Sequence, residues 1–161
     1  MKIFILFLVI IIKLIFYSNT AVSKIVEDKI IIGATLSMTG QNSSQNLLYK
    51  DQFDRAIKSI NSLGGVNVGG KSYQFEIIYY DNESNTSRAN KLITRLIQND
   101  GVQYLIILKN EKLFNPVKSL IENDQISIAR SYEAVSIYKK AFEAVNSVDS
   151  KKIKNFILNN R

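Results

Sequence analysis

The spacing of apolar residues along the chain alternates between short continuous runs and a helical period. Residues 30–36 form a short, largely apolar run, which is typical of a strand buried on both faces of a parallel sheet. A polar loop follows at residues 37–46, and apolar residues then recur at helical spacing over residues 49–63. Gly64 is placed to end this predicted helix, because a glycine commonly follows the last helical turn.

The stretch at residues 64–81 connects this helix to the next predicted elements. Two glycine pairs bracket residues 66–68, and they predict a tight turn because glycine adopts positive φ at little cost. Residues 73–80 are rich in aromatic and β-branched types and predict a strand. Polar residues 81–86 end that strand, and apolar positions between residues 89 and 97 predict a second helix. Helix, turn, strand, loop and helix together make an α/β unit.

The same alternation continues in the following part of the chain. Residues 104–108 predict a third strand, and residues 125–129 could form a short fourth strand. Apolar residues between positions 113 and 121 predict a third helix, in which Pro116 is tolerated only near the first turn.

This order of elements predicts the fold class, which is α/β with a mostly parallel sheet and helices on both faces. We expect residues 30–36 at the centre of the sheet and residues 73–80 beside them. A strongly amphipathic helix is predicted at residues 132–145, and Asp149 or Ser150 can cap a last helix. The former helix should pack on the sheet through Val135, Tyr138, Ala141 and Phe142.

A short positive region and an apolar run stand at the N-terminus of the sequence. Lys2 precedes the apolar residues 3–12, and residues 14–17 resume the run after Lys13. A helix over residues 3–16 would be about 21 Å long, which is shorter than the roughly 30 Å hydrocarbon core of a membrane. The length therefore favours a signal peptide over a membrane span.

Small residues follow at the positions that a signal peptidase reads, namely Ala21 and Ser23. The sequence therefore predicts a secretory signal peptide at residues 1–23 and a periplasmic mature domain at residues 24–161. An uncleaved anchor in the inner membrane is the alternative, and Lys13 inside the apolar run is the observation that keeps it open.

Composition excludes several kinds of chemistry. The chain contains no cysteine and no histidine, which excludes thiol nucleophiles, imidazole bases, a Ser-His-Asp triad and the usual zinc ligand sets. The formal net charge is +7, but basic residues are interleaved with acidic ones and form no stripe. We therefore expect no nucleic-acid partner. The sequence predicts neither an enzyme nor a cofactor.

Three predicted loops follow strands and are candidates for a ligand site, because ligands of open α/β sheets lie outside the carboxyl ends of the strands. They are residues 37–46, 81–86 and 109–112. The first is rich in hydroxyl and amide groups and leads into a helix, whose backbone N–H groups could hold a carboxylate. An ordinary capped loop is the alternative. The second alternates oxygen-bearing side chains but lacks the glycine and distal glutamate of a calcium loop, which favours a polar turn.

Several spaced motifs occur in order along the chain, at residues 30–40, 49–53, 60–66, 69–71 and 78–81. Taken together, they resemble the leucine/isoleucine/valine-type periplasmic binding proteins, the solute receptors of branched-chain amino acid ABC transporters. The resemblance covers Lys29 to about Leu108. It implies an α/β lobe of the periplasmic binding protein type I kind, one of two lobes that close over an amino acid or a related small solute.

The sequence also departs from that family. Family members are typically more than twice as long, and a loop containing glycine and serine usually follows their third strand where residues 109–112 stand here. Residues 131–142 resemble a helix near the family's C-terminus, where the chain has returned to the first lobe. We therefore expect a single lobe whose far part joins its near part at about residues 129–131.

The resemblance implies a solute-binding component of an ABC transporter, with a branched-chain amino acid or similar solute and the transporter's membrane subunits as partners. One lobe leaves the site open, so we expect weak or lost binding, through Thr39, Gln45, Asn110 and nearby backbone N–H groups. Two alternatives stay open, namely an interaction domain that kept the fold and lost the solute, and a gene remnant without activity.

Overall fold

The computed structural model describes residues 28–108, 115–123, 126–131 and 133–160. Within these ranges, strands and helices alternate along the chain. The strands are β1 (Lys29–Leu36), β2 (Val66–Val68), β3 (Lys71–Asp81), β4 (Tyr104–Ile106) and β5 (Ser127–Ala129). The helices are α1 (Ser43–Ser62), α2 (Thr86–Gln98), α3 (Asn115–Glu122), α4 (Ala134–Val145) and α5 (Ser150–Asn159).

In the part of the chain that the structure describes, no helix combines the length and the apolar character that crossing a membrane requires. The predicted signal peptide at residues 1–23 lies outside the described residues.

The five strands form one sheet in the order β2-β3-β1-β4-β5. β1 pairs in parallel with β3, from Lys29 opposite Gln74 to Leu36 opposite Asp81, and in parallel with β4 on its other side. β4 and β5 are also parallel, whereas β2 and β3 are antiparallel. The predicted α/β class, the central position of β1 and the neighbouring position of β3 are confirmed.

The stretch between the two glycine pairs differs from its prediction. Val66 to Val68 form the short strand β2, where the sequence predicted only a turn. Gly69 and Gly70, with φ of 62° and 79°, form a two-residue hairpin loop between β2 and β3. Two successive positive φ angles suit the right-handed twist of the flanking strands, which explains why two glycines stand there.

The remaining boundaries follow the predicted signals closely. α1 ends at Ser62, and Gly64 at φ 99° follows its last turn as expected. Pro116 stands in the first turn of α3. The side chain of Asp149 accepts hydrogen bonds from the backbone N–H groups of Lys151 and Lys152, and it thereby caps α5.

The side chains of β1 alternate between two cores. Ile30, Ile32, Ala34 and Leu36 face the layer that α1, α4 and α5 form, whereas Ile31 faces α2 and α3. A Cβ at Gly33 would lie 2.9 to 3.1 Å from side-chain atoms of Val102, Leu105 and Leu96. Glycine at this position therefore lets α2 approach the central strand closely.

The helix α4 lies on the same sheet only a few residues after β5 ends at Ala129. Its inward side chains are 0 to 1% exposed, as predicted, and they are Val135, Tyr138, Ala141 and Phe142. The hydroxyl of Tyr138 lies 2.8 Å from the carbonyl oxygens of both Leu105 and Ser127, in the two strands beneath it. Burial raises the pKa of Tyr138 above its ordinary value, so the hydroxyl stays protonated and available to donate.

Phe142 is the main apolar anchor of α4. Its ring is fully buried, 4.9 Å from the ring of Tyr104 in an edge-on arrangement and 5.8 Å from that of Phe75. The packing of α4 on the sheet thus rests on an aromatic cluster. The joining of two parts of the lobe at residues 129–131 stays a prediction.

Phe142→Ala should lower the free energy of unfolding by about 3–5 kcal/mol, because it removes a buried ring and leaves a cavity among aromatic neighbours. Urea unfolding of the purified protein measures this loss. The control is Leu48→Ala, which removes a side chain that is 64% exposed on α1 and should change stability by less than about 0.5 kcal/mol. Equal effects of the two changes would contradict the packing of α4 on the sheet.

Candidate functional site

A cavity of ≈ 450 Å³ opens at the carboxyl ends of the strands. This volume is within the range of small-molecule sites, which measure roughly 300–1,000 Å³. Residues that follow β1, β3, β4 and β5 contribute to its wall, together with the first turns of α1 and α2. The lining residues are Ser37, Asn42, Gln45, Asn46, Tyr49, Asn82, Ser84, Asn85, Thr86, Ala89, Leu108, Arg130 and Ser131.

The carboxylate of Asp81, at the end of β3, fixes the loop that follows β1. Its Oδ1 accepts hydrogen bonds from the backbone N–H groups of Met38 at 2.9 Å, Thr39 at 3.2 Å and Glu83 at 2.9 Å. Its Oδ2 accepts a hydrogen bond from the hydroxyl of Thr39 at 2.8 Å. Desolvation alone would raise the pKa of Asp81, but these hydrogen bonds outweigh it and hold the pKa below its ordinary value.

Asn82, which is 3% exposed, provides a second tie between the same two loops. Its Oδ1 accepts hydrogen bonds from the Ser37 hydroxyl at 2.7 Å and from the Ser84 backbone N–H at 3.0 Å. The hydroxyl of Ser84 then donates to the carbonyl oxygen of Thr39 and accepts from the backbone N–H of Asn42, both at 3.0 Å. The β1–α1 loop and the β3–α2 loop are therefore cross-linked without any ligand.

These ties hold an unfavourable backbone conformation. Glu83 and Ser84 have φ of 53° and 60°, in the left-handed region that residues with a Cβ seldom adopt. Gly40, on the opposite loop, has φ 83°, and a Cβ there would lie 2.7 Å from the Ser84 Oγ. The turn at residues 81–85 thus has a specific backbone shape, and the β1–α1 loop packs closely against it at Gly40.

Both helices that start at the cavity direct their N-termini toward it. The Asn85 side chain caps α2 by accepting from the Arg88 backbone N–H at 2.9 Å, whereas α1 has no side-chain cap. Neither helix carries an acidic residue in its first turn. The first N–H groups of a helix have no intrahelical partner and carry a partial positive charge, so this part of the cavity wall favours anionic groups.

The three residues predicted to bind a ligand have different positions. Gln45 lines the cavity, and its Nε2 donates to the Tyr49 hydroxyl at 2.8 Å. Thr39 is absent from the wall, because its hydroxyl turns to Asp81. Asn110 lies outside the described residues. Ligand binding by these residues stays a prediction.

Several wall residues were not predicted from the sequence, above all Arg130. It stands directly after β5, and the parallel pairing of β5 with β4 carries it to the same edge as the loops after β1 and β3. The end of the predicted fourth strand, at residue 129, was the sequence signal that could have identified Arg130. Within the described ranges, no cluster of three or more residues of metal-ligating type is close enough to hold a metal ion.

A family model described as "Periplasmic binding protein" matches residues 29–128. The chain belongs to the periplasmic binding protein family. The matched region contains all five strands of the sheet except the final residue of β5.

Solved structures agree with this assignment. A candidate branched-chain amino acid ABC transporter protein from Silicibacter pomeroyi aligns with a TM-score of 0.54 at 18% identity, over 71% of this chain and 28% of that one. The branched-chain amino acid transporter substrate-binding protein from Streptococcus pneumoniae, solved with isoleucine, aligns with a TM-score of 0.50 at 16% identity, over 81% of this chain and 46% of that one. A candidate branched-chain amino acid ABC transporter protein from Rhodospirillum rubrum aligns with a TM-score of 0.50 at 16% identity, over 68% of this chain and 32% of that one.

These likenesses show the fold, which is the type I-like lobe of a periplasmic binding protein. The predicted resemblance is confirmed for family and fold. The chain spans less than half the length of each of these relatives, and its described residues form one lobe around one sheet.

Asp81→Asn should lower the free energy of unfolding by about 1–2 kcal/mol at pH 7, because the charged acceptor of several hydrogen bonds is lost. Since folding lowers the pKa of Asp81, its stabilisation is complete above the ordinary value of 3.8 and disappears as the pH falls through the folded pKa. The difference between wild type and variant should therefore narrow below pH 3.8.

Urea unfolding over a pH series measures this difference. The control is Asp51→Asn, which removes an exposed carboxylate that pairs with Arg55 on α1 and should cost less than about 0.5 kcal/mol. If the difference in free energy of unfolding between wild type and Asp81→Asn stays constant with pH, the role given to the charge of Asp81 is contradicted.

Proposed function

We propose that the chain is an extracytoplasmic solute-binding component of an ABC transporter and that it binds an amino acid or a related small solute. The observation that carries this proposal is the cavity at the carboxyl edge of the sheet, whose rim loops are already fixed by Asp81, Asn82 and Ser84. A preformed rim lowers the ordering cost of binding. Membership of a solute-receptor family supports the same conclusion.

The periplasm is the proposed location, reached through the signal peptide at residues 1–23. The charged n-region, the short apolar run and the small residues before Lys24 support this export route. The transporter's membrane subunits are the proposed protein partners.

The solute should bind weakly. In a receptor with two lobes the solute is enclosed, water is excluded and each charged hydrogen bond to the solute is strengthened. The described wall of the cavity comes from one lobe, built around one sheet. Gln45, which lines the cavity, is the proposed direct contact. Thr39 and Asn110 are retained as proposed ligand-binding residues.

Leucine at 1 mM should raise the melting temperature of the purified protein by only about 1–2 °C, in line with the dependence of stability on bound ligand. A millimolar site gains about 0.4 kcal/mol under these conditions, whereas a micromolar site gains about 4 kcal/mol. Isoleucine and valine at the same concentration should raise the melting temperature by a similar amount. A rise of many degrees would show that a complete site survives in one lobe.

Two glutamines of α1 provide matched variants for this measurement. Gln45→Ala should reduce the stabilisation by leucine, because Gln45 lines the cavity. Gln52→Ala removes an exposed glutamine elsewhere on the same helix and should leave the stabilisation unchanged. The same response in both variants would place the solute away from Gln45.

A tagged form of the protein should capture the purified membrane subunits of the branched-chain amino acid ABC transporter from the same organism. An unrelated exported protein with the same tag is the control, and detergent-solubilised subunits are scored by immunoblot. Absence of capture by the folded protein would count against a transport function and favour a separate interaction domain.

A further inference from the structure

The charges around the cavity differ from those that a free amino acid needs. An amino acid presents a carboxylate and an ammonium group, which require opposite charges or an equivalent set of donors and acceptors. Among the described residues that line the cavity there is no aspartate or glutamate, and one residue, Arg130, carries a full positive charge. We infer that the cavity selects a monocarboxylate without an ammonium group, such as an α-keto acid, and that Arg130 binds its carboxylate. This inference rests on the proposed solute-binding function and narrows its solute class.

The two helix N-termini add to the positive potential at the cavity. Asn42 and Gln45 at the start of α1, and Asn85 and Thr86 at the start of α2, all line the wall. Each helix N-terminus is equivalent to roughly half a positive charge. Since neither first turn contains an acidic residue, no side chain of these turns offsets that charge.

Two acidic side chains of the β3–α2 region, Asp81 and Glu83, lie outside the wall and are engaged with other groups. Asp81 accepts hydrogen bonds from Met38, Thr39 and Glu83. The carboxylate of Glu83 forms an ion pair with Arg88 at 3.2 Å. Neither carboxylate is therefore directed at a ligand.

Two of the neutral side-chain oxygens that could accept from an ammonium group already accept hydrogen bonds from the protein. Asn82 Oδ1 accepts from Ser37 and Ser84, and Asn85 Oδ1 accepts from Arg88. The remaining side-chain amides of Asn42 and Gln45 are exposed to water. An exposed amide oxygen holds an ammonium group less strongly than a carboxylate does. The described wall therefore offers an ammonium group neutral acceptors but no carboxylate, whereas it offers a carboxylate the guanidinium of Arg130.

Arg130 has the properties of an anion-binding residue. It is exposed at the cavity, and the structure gives its guanidinium no ion pair with any described residue. A guanidinium presents two parallel N–H groups that match the two oxygens of a carboxylate. Arg130 also lines a second cavity, which it shares with Lys140 but which lies between α4 and α5. Lys140 therefore offers a matched positive charge that does not line the candidate site.

Isothermal titration calorimetry of the purified protein can separate the two solute classes with three probes that share one side chain. They are leucine, its α-keto acid α-ketoisocaproate, in which a carbonyl replaces the ammonium-bearing carbon, and isopentylamine, which keeps the ammonium and lacks the carboxylate. We expect α-ketoisocaproate to bind at least about tenfold more tightly than leucine and the amine not to bind.

Two charge-removing variants assign the effect to a residue. Arg130→Gln should weaken binding of α-ketoisocaproate by about tenfold or more and reduce its preference over leucine. Lys140→Gln removes the same charge and should change both affinities by less than about twofold. Urea unfolding of both variants checks that they fold.

The outcomes distinguish this inference from the function on which it rests. Leucine binding as tightly as α-ketoisocaproate, no binding of α-ketoisocaproate, or equal effects of the two variants would overturn the inference. If the transporter subunits are still captured in those cases, the transport function stands. Conversely, preferential binding of α-ketoisocaproate without capture would support the inferred selectivity and remove the transport role.

Discussion

Burial of β1 on both faces is the constraint on which the rest of the structure depends. Six of its side chains are buried, and the strand faces two cores, one under α1, α4 and α5 and the other under α2 and α3. β3 lies on one side of β1 and β4 on the other. The loops that leave β1 and β4 therefore turn to opposite faces of the sheet, and a crevice forms between them. The cavity lies at that crevice because Ser37 follows β1 and Leu108 follows β4.

Local sequence patterns predicted most of the fold, and long-range pairing accounts for what they missed. Residues 30–36 and 73–80 lie in the predicted strands, now β1 and β3, and the helix predicted at residues 132–145 is found as α4 (Ala134–Val145). β2 was missed because three residues between glycine pairs are too few for a period, and its pairing with β3 depends on the hairpin that Gly69 and Gly70 permit. The Asp149 cap and the helix stop at Gly64 were predictable because both signals are local.

The candidate site was less predictable than the fold for the same reason. Its position at the carboxyl edge and its lining by Gln45 follow from the α/β alternation. The hydrogen bond from Thr39 to Asp81 could not be predicted in this way, because the two residues are 42 positions apart in the sequence. Arg130 reaches the edge only through the register that sets Ile106 opposite Ala129. Periodicity describes which face a residue occupies, but the neighbours across strands decide which polar groups remain available to a ligand.

Selectivity and affinity have different physical origins in such a site. The sign of the charge that the cavity prefers depends on groups fixed by the lobe itself, namely the starts of α1 and α2 and the position of Arg130 after β5. The Asp81 and Asn82 hydrogen bonds hold the loops that lead into α1 and α2, and the pairing of β5 with β4 places Arg130. The strength of the interaction depends instead on water, since charges in contact with solvent attract each other several-fold less than those in a closed site. A preference for one class of solute therefore does not require the enclosure that tight binding requires.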